Sequence, residues 1–235
     1  MLEYYNIYGI HPSITALKNP KRQISKIYCS KELLEKHPLI KNFPHEITNN
    51  NNLEQISKTT SHQGIVVKTA KITQYTLDLN DNLKKIAILD QITDPQNFGA
   101  IIRSAVAFHF DAIIIPKDNS IEENATVAKI ASGALELITL FQVTNLNRAI
   151  EELKTVDFWI VGLDGNSDND LYSMTKFDKI AAIIGSEQKG MRPLVRKNCD
   201  LIVKIPINKN IDSLNASNAA AIFFSEIARV NNLTL

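Results

Sequence analysis

Towards its end the chain reads Ile183-Ile184-Gly185-Ser186-Glu187-Gln188-Lys189-Gly190-Met191, then Leu201-Ile202-Val203-Lys204-Ile205-Pro206-Ile207, then Ser213-Leu214-Asn215-Ala216-Ser217-Asn218-Ala219-Ala220. One apolar run ends in a glycine-flanked loop. A second ends in Ile-Pro. A Ser-Leu-Asn turn then opens a helix of small residues. Near-continuous apolar runs of this length read as strands buried on both faces. Loops at the ends of such strands are where α/β domains bind ligands.

Working upstream, the same pattern recurs. Ile86–Asp90, Asp111–Pro116, Leu135–Val143, Phe158–Leu163 and Ile180–Ile184 read as strands. Between them, Phe98–Phe108 and Asn145–Lys154 have helical spacing of apolar residues. Ser120-x-x-Glu123 reads as a capping box for a helix through Ile130, and Leu214–Val230 as the closing helix, with Ser213 its natural N-cap. Strands alternating with helices predict a parallel sheet covered on both faces. Trp159, inside a strand, reads as core rather than as a platform for stacking bases.

Residues 1–80 have a different rhythm. A short helix over Ser13–Lys18 follows Pro12, and Ile24–Cys29 alternates like a half-buried strand. Ser30 can N-cap Lys31–Lys36, the Thr48–Asn52 run reads as a loop, Leu53–Lys58 as a short helix, and His62-Gln63-Gly64 as a turn into a strand. This is a small α+β domain. The polar segment Gln74–Leu83 is the linker candidate. The expected division is a first domain over 1–75, a linker over 76–83 and a second domain over 84–235.

Composition excludes several classes. In 235 residues with 44% hydrophobic content, no apolar run reaches the ~18 residues that span a bilayer. Met1-Leu2-Glu3-Tyr4-Tyr5 lacks the basic and apolar regions of a secretory leader, so a cytoplasmic chain without membrane contact is expected. Cys29 and Cys199 have no motif spacing and read as reduced thiols, with a disulfide between them as the alternative. The net charge of +1 divides unevenly: ten Lys/Arg against six Asp/Glu over residues 1–80, sixteen against nineteen beyond. The basic first part is compatible with a phosphate-bearing partner, although +4 is also common on solvated surfaces. The five histidines make no metal-ligand pattern, so no metal is expected.

Three clusters could carry chemistry. In Asp94-Pro95-Gln96-Asn97-Phe98-Gly99-Ala100-Ile101-Ile102-Arg103, Asp94 and Asn97 can cap a helix or meet a ligand's polar edge. Arg103, about a turn beyond Gly99, can offer a permanent charge to a phosphate or oxyanion. The plainer reading is a capped helix with a surface arginine. Gly185-Ser186-Glu187-Gln188-Lys189-Gly190 is neither a P-loop nor a dinucleotide fingerprint; alone it is a glycine-bounded turn. Ile205-Pro206-Ile207 with Ser213-Leu214-Asn215 is either a helix cap or a pair of polar groups facing a ligand.

Together and in this order, the clusters resemble the three motifs of the SpoU family of RNA 2′-O-ribose methyltransferases, of the trefoil-knotted SPOUT class. Asp94, Pro95, Asn97, Gly99 and Arg103 match the first motif. Gly185, Glu187 and Gly190 match the second, and Ile205, Pro206, Ser213, Leu214, Asn215 and Ala219 the third. Ile7-Tyr8-Gly9-Ile10-His11 and His62-Gln63-Gly64-Ile65 are similar to extended members whose N-terminal domain resembles ribosomal protein L30e and binds substrate. Gln188, Asn218 and the glycine-free segment 208–212 depart from the pattern.

The resemblance implies a knotted S-adenosylmethionine site, with Gly185, Ile205 and Leu214 holding the cofactor. Arg103, Asn97, Glu187, Ser213 and Asn215 are the implied catalytic group. It further implies a homodimer whose sites draw on both subunits, and an RNA partner, a guanosine of 23S rRNA, rather than DNA. Arg103 would stabilise the developing alkoxide, since a guanidinium is a poor base, although a base role is the family's usual proposal. Two rivals stay open: a ribose methyltransferase of tRNA, and a non-catalytic RNA-binding ribosome-assembly protein.

Overall fold

The computed structural model describes residues 3–80 and 82–231. Met1 and Leu2 of the expected leaderless terminus, and Asp81 of the expected linker, lie outside the described residues. The chain divides into two compact units, Met1–Ile72 with Glu122–Leu137, and Thr73–Ile121 with Ile138–Leu235.

The first unit contains β1 (Tyr4–Tyr8), α1 (Ile10–Lys18), β2 (Ile24–Cys29), α2 (Lys31–Lys36), β3 (His45–Ile47), α3 (Asn50–Ser57), β4 (Ile65–Ala70) and, from the inserted segment, α5 (Ala125–Ala131). Its sheet has the order β1-β4-β2-β3, antiparallel except for the β2/β3 pair. Ser30 caps α2 as its sequence position predicts, accepting the Leu33 N–H at 3.2 Å. The asparagine run is not a loop. Asn49 accepts the Asn52 N–H at 3.0 Å and starts α3 within the run, because an asparagine side chain is a good N-cap.

Segment 122–137 belongs with this unit through a buried ion network. Arg22 donates to Glu123, to Glu136 (Nε–Oε2, 3.0 Å) and to the Ala70 carbonyl at 2.9 Å. Tyr5 donates to Glu123 at 2.6 Å, and the Ile72 N–H to the same carboxylate at 3.0 Å. Burial opposes the Arg22 charge, but its neighbours Tyr5, Glu136 and Glu123 outweigh that and raise its pKa. Burial, and then the Glu123 charge, push the Tyr5 hydroxyl well above its ordinary value. The capping box expected at Ser120 is therefore not formed by Glu123. Asn124 caps α5 instead, accepting the Thr126 and Val127 N–H groups.

The second unit contains β5 (Lys85–Asp90), α4 (Pro95–Ala107), β6 (Ala112–Pro116), β7 (Thr139–Val143), α6 (Leu146–Lys154), β8 (Trp159–Leu163), β9 (Ile180–Gly185), α7 (Pro193–Lys197), β10 (Leu201–Val203) and α8 (Ala216–Val230). The sheet order is β10-β8-β9-β5-β6-β7, and each pairing is parallel, as the apolar runs predict. One face carries Ile86, Ile88, Ala181 and Ile183 beneath Ile150, Leu153 and Val195 of α6 and α7. Helix α8 packs on α4 and β9, and Phe224 of α8 meets Phe110 at 4.2 Å between ring centroids. The linker candidate is not a free spacer. Gln74 bridges to Phe141 beside β7, and Leu77, Leu79 and Leu83 pack against the sheet's core cluster.

Two further readings are corrected. Asn215, not Ser213, caps α8, accepting the Ser217 N–H at 2.9 Å. Trp159 is not core: it is 51% exposed. β10 pairs with Val161, Gly162 and Leu163, so among the described residues no strand flanks the first residues of β8 on that side. Cys29 and Cys199 are both free thiols.

Candidate functional site

The carboxyl ends of β5, β8, β9 and β10 lie at one end of the parallel sheet, and the sequence clusters follow them. After β5, Asp94 accepts the Asn97 N–H at 3.0 Å and starts α4, with Pro95 in the first turn. Proline suits that position because its missing N–H has no helical partner there. The Asn97 side chain is thereby left free for another role.

After β9 the chain makes a closed loop. Ser186 and Gly190 exchange backbone hydrogen bonds of 3.2 and 2.8 Å. A Cβ on Gly185 would overlap the backbone of Gly190 and Met191, and Gly190 itself has φ +64°. The two glycines that look weak as a motif are thus demanded by a return too tight for side chains. Asp90, fully buried at the end of β5, pins the loop's exit. Its carboxylate accepts the Arg192 backbone N–H at 2.8 Å and the Arg192 Nε at 2.7 Å. Sequence reading passed over this pair, because an aspartate ending a strand and an arginine a hundred residues later carry no spacing signal.

After β10, residues 164–171 hold the strand's end. Asp164 N–H donates to Val203, Lys204 N–H to Asn169 and Leu171 N–H to Lys204, at 2.8–2.9 Å. Ser167 Oγ donates to the Ile202 carbonyl at 2.7 Å.

The loop after β9, residues 164–166 after β8 and the segment after β10 line a cavity of about 510 Å³. Its wall includes Gly185, Glu187, Ile205, Ser213 and Leu214, so five of the eight expected site residues meet there. Two more join through hydrogen bonds. Asn97 Nδ2 donates to Glu187 Oε1, and Asn215 Nδ2 donates to Asn97 Oδ1 at 2.9 Å. One asparagine amide therefore links all three clusters, donating to the carboxylate of the second and accepting from the third. Arg103 stands apart. It is exposed and has no hydrogen-bond or ion-pair partner among the described residues.

Asp164 also borders the cavity. Burial acts to raise its carboxyl, but the Arg196 Nε hydrogen bond at 2.8 Å and the Asn166 backbone N–H outweigh it and hold the pKa below its usual value. The cavity thus combines apolar Leu163, Ile184, Met191 and Leu214 with the carboxylates of Asp164, Glu187 and Asp212 and the ammonium groups of Lys189 and Lys209. A flat apolar ring with a cationic group nearby fits that lining.

A parallel α/β unit with a cavity formed by three strand-end loops, in a chain that also carries a small α+β unit, defines a two-unit α/β protein with a ligand cavity at its strand ends. The chain belongs to the SpoU rRNA Methylase family, whose model matches residues 84–225. A model for RNA 2′-O ribose methyltransferase substrate binding matches residues 6–75. The family expected from the three motifs, and an α/β fold with a parallel sheet, are thereby borne out.

Among relatives, the chain is 39% identical to the 23S rRNA (guanosine-2′-O-)-methyltransferase RlmB of Shewanella oneidensis, covering 95% of this chain and 96% of that one. It is 36% identical to the RlmB of Escherichia coli K12, over 95% and 97%. Among solved structures, the AdoMet-bound rRNA methyltransferase of Sinorhizobium meliloti superposes with a TM-score of 0.84 at 20% identity, covering 98% and 88%. The SpoU methyltransferase AviRb of Streptomyces viridochromogenes, in complex with AdoMet, gives 0.83 at 19% identity, over 96% and 90%.

Proposed function

We propose that this chain transfers the methyl group of S-adenosylmethionine to the ribose 2′-OH of a guanosine in 23S rRNA. The observation that carries the reading is that the second and third motif loops line one cavity, and that the first joins them through the Glu187–Asn97–Asn215 hydrogen bonds. Relatives of nearly equal length that carry that activity in their names support the choice of substrate.

When bound, S-adenosylmethionine supplies an electrophilic methyl group on a sulfonium. Gly185, Ile205 and Leu214 would hold it, and the carboxylates of Asp164, Glu187 and Asp212 are the groups of the lining that could face its positive charge. Transfer to a hydroxyl is mainly a matter of in-line placement and of stabilising the oxygen as it loses its proton. Glu187, fixed by Asn97, and Ser213 are the groups that orient the ribose or accept its proton. Asn215 reaches the group through Asn97. Arg103 supplies the charge that stabilises the developing alkoxide. Its guanidinium has no partner among the described residues, which accords with a site completed on dimerisation, and the chain is proposed to act as a cytoplasmic homodimer. The clasp of residues 164–171 on β10 supports a further reading, that the segment leading to α8 threads this loop as a trefoil knot. The first domain would hold the RNA.

The test is to map 2′-O-methyl groups in 23S rRNA and tRNA from cells with and without this protein, and to assay the purified protein with S-adenosylmethionine on an rRNA fragment. A guanosine signal lost from 23S rRNA and restored in vitro is expected. A lost tRNA signal would transfer the activity to tRNA, and no lost signal together with no cofactor binding would make the chain a non-catalytic RNA binder.

A further inference from the structure

At the opposite end of the second unit's sheet, the amino ends of β5, β8 and β9 border an open cleft of about 700 Å³ lined by Lys84, Asp157, Trp159, Lys176, Phe177 and Lys179, among others. The cleft is separate from the cofactor cavity by the length of β9, roughly 17 Å at ~3.3 Å per residue. The chain's sole tryptophan stands in it half-exposed. Trp159 lies 5.4 Å from the Phe177 ring, tilted by 40°. Phe177 is held by its backbone N–H donating to Asn231 at the end of α8, at 3.2 Å. Lys179 is anchored, donating to the Val156 carbonyl at 3.2 Å. Lys84 and Lys176 are exposed, and their side chains have no partner among the described residues.

An aromatic surface fixed from behind, with unpaired ammonium groups at its rim, has the chemistry of a single-stranded nucleic-acid platform. Bases stack on the ring, and lysines meet the phosphates. Asp157 and Asp178 offer acceptors to ribose hydroxyls and base amino groups. We propose that this cleft is an RNA-contact site on the catalytic unit, taking an unpaired nucleotide and its phosphates at a distance from the methylated ribose. The assignment rests on the reading that the substrate is RNA. A surface remote from the cavity can add affinity and register without touching the chemistry.

Because Trp159 is the sole tryptophan, its emission reports this cleft alone. The full-length protein would be titrated, at fixed salt, with an oligouridylate of about twelve nucleotides and with the 23S rRNA fragment. Quenching of Trp159 by RNA is expected. Trp159→Ala should bind RNA roughly five- to hundredfold more weakly, and Lys84→Ala/Lys176→Ala should lower the slope of log affinity against log salt by about 2. The lysine pair is exposed and provides a second variant whose folding is not in question. Calorimetric binding of S-adenosylmethionine should be unchanged in both variants. Wild-type RNA affinity and an unaltered salt slope in the lysine variant would overturn the cleft. So would emission that follows protein concentration rather than RNA, which would mark a contact between copies. If the protein methylates RNA while Trp159 stays silent, only the cleft inference falls. If RNA quenches Trp159 but no RNA is methylated, the cleft stands and the proposed activity falls.

Discussion

The Asn97 amide shows how one residue can join three distant segments. Its backbone N–H is used by Asp94, so its side chain can donate to Glu187 and accept from Asn215. Loss of a buried hydrogen-bond partner leaves polar groups unsatisfied and costs about 1–3 kcal/mol. Asn97→Ala should therefore slow methyl transfer and loosen α8's start together, seen as reduced kcat with a lower Tm. Arg103→Ala is expected to behave differently. With no partner among the described residues, Arg103 has little to lose in folding, so stability and calorimetric S-adenosylmethionine binding should be retained. Methyl transfer should fall by about 10²-fold or more, if it acts like other preorganised charge stabilisers; unaltered turnover would remove it from the site. Gly185→Ala should instead abolish cofactor binding while leaving Arg103 and α4 untouched, because the loop backbone has no room for a Cβ.

At the scale of elements, ion pairs divide by burial. The Arg22, Glu123 and Glu136 side chains are almost fully buried, and removing one partner of such a group typically costs about 3–5 kcal/mol. Arg22→Met should lower stability by that order in denaturant unfolding. A loss below about 1 kcal/mol would show that the carboxylates find other partners. The Asp164–Arg196 pair is half-exposed and is expected to contribute no more than about 1 kcal/mol. Asp164 has a lower pKa folded than its usual 3.8. Its contribution is thus present above that value and lost as the pH falls through the lower folded one. The stability difference between wild type and Arg196→Gln should accordingly shrink in acid, read from denaturant midpoints at neutral pH and below pH 3.8. The element readings failed where side-chain roles compete. Glu123 has capping-box spacing but is taken by Arg22, and Asn50–Asn52 look like loop until Asn49 is seen to cap them.

At the scale of the whole molecule, the first unit includes α5, which the chain delivers only after β6. Removing residues 1–75 would leave Glu123 and Glu136 without Arg22 and Tyr5. The truncated chain should bind RNA more weakly, at fixed salt, and also melt lower than the intact protein. Adding Glu123→Gln and Glu136→Gln should recover part of the Tm by removing the orphaned charges; no recovery would count against this account of the loss. Much of the architecture was legible beforehand, because hydrophobic periodicity is a local property. Ile86–Asp90, Ile180–Ile184 and the helix ending at Val230 follow directly from it, and three motifs in order pointed to the family. What local sequence cannot carry is the partner of a side chain a hundred residues away. Sequence alone determined the parallel sheet, the glycines at positions 185 and 190 and the residue types of the site. Only the tertiary structure decided that Asp90 holds Arg192, that Arg22 recruits a segment from beyond β6, and that Trp159 faces solvent, since each depends on which strands and loops become neighbours in space.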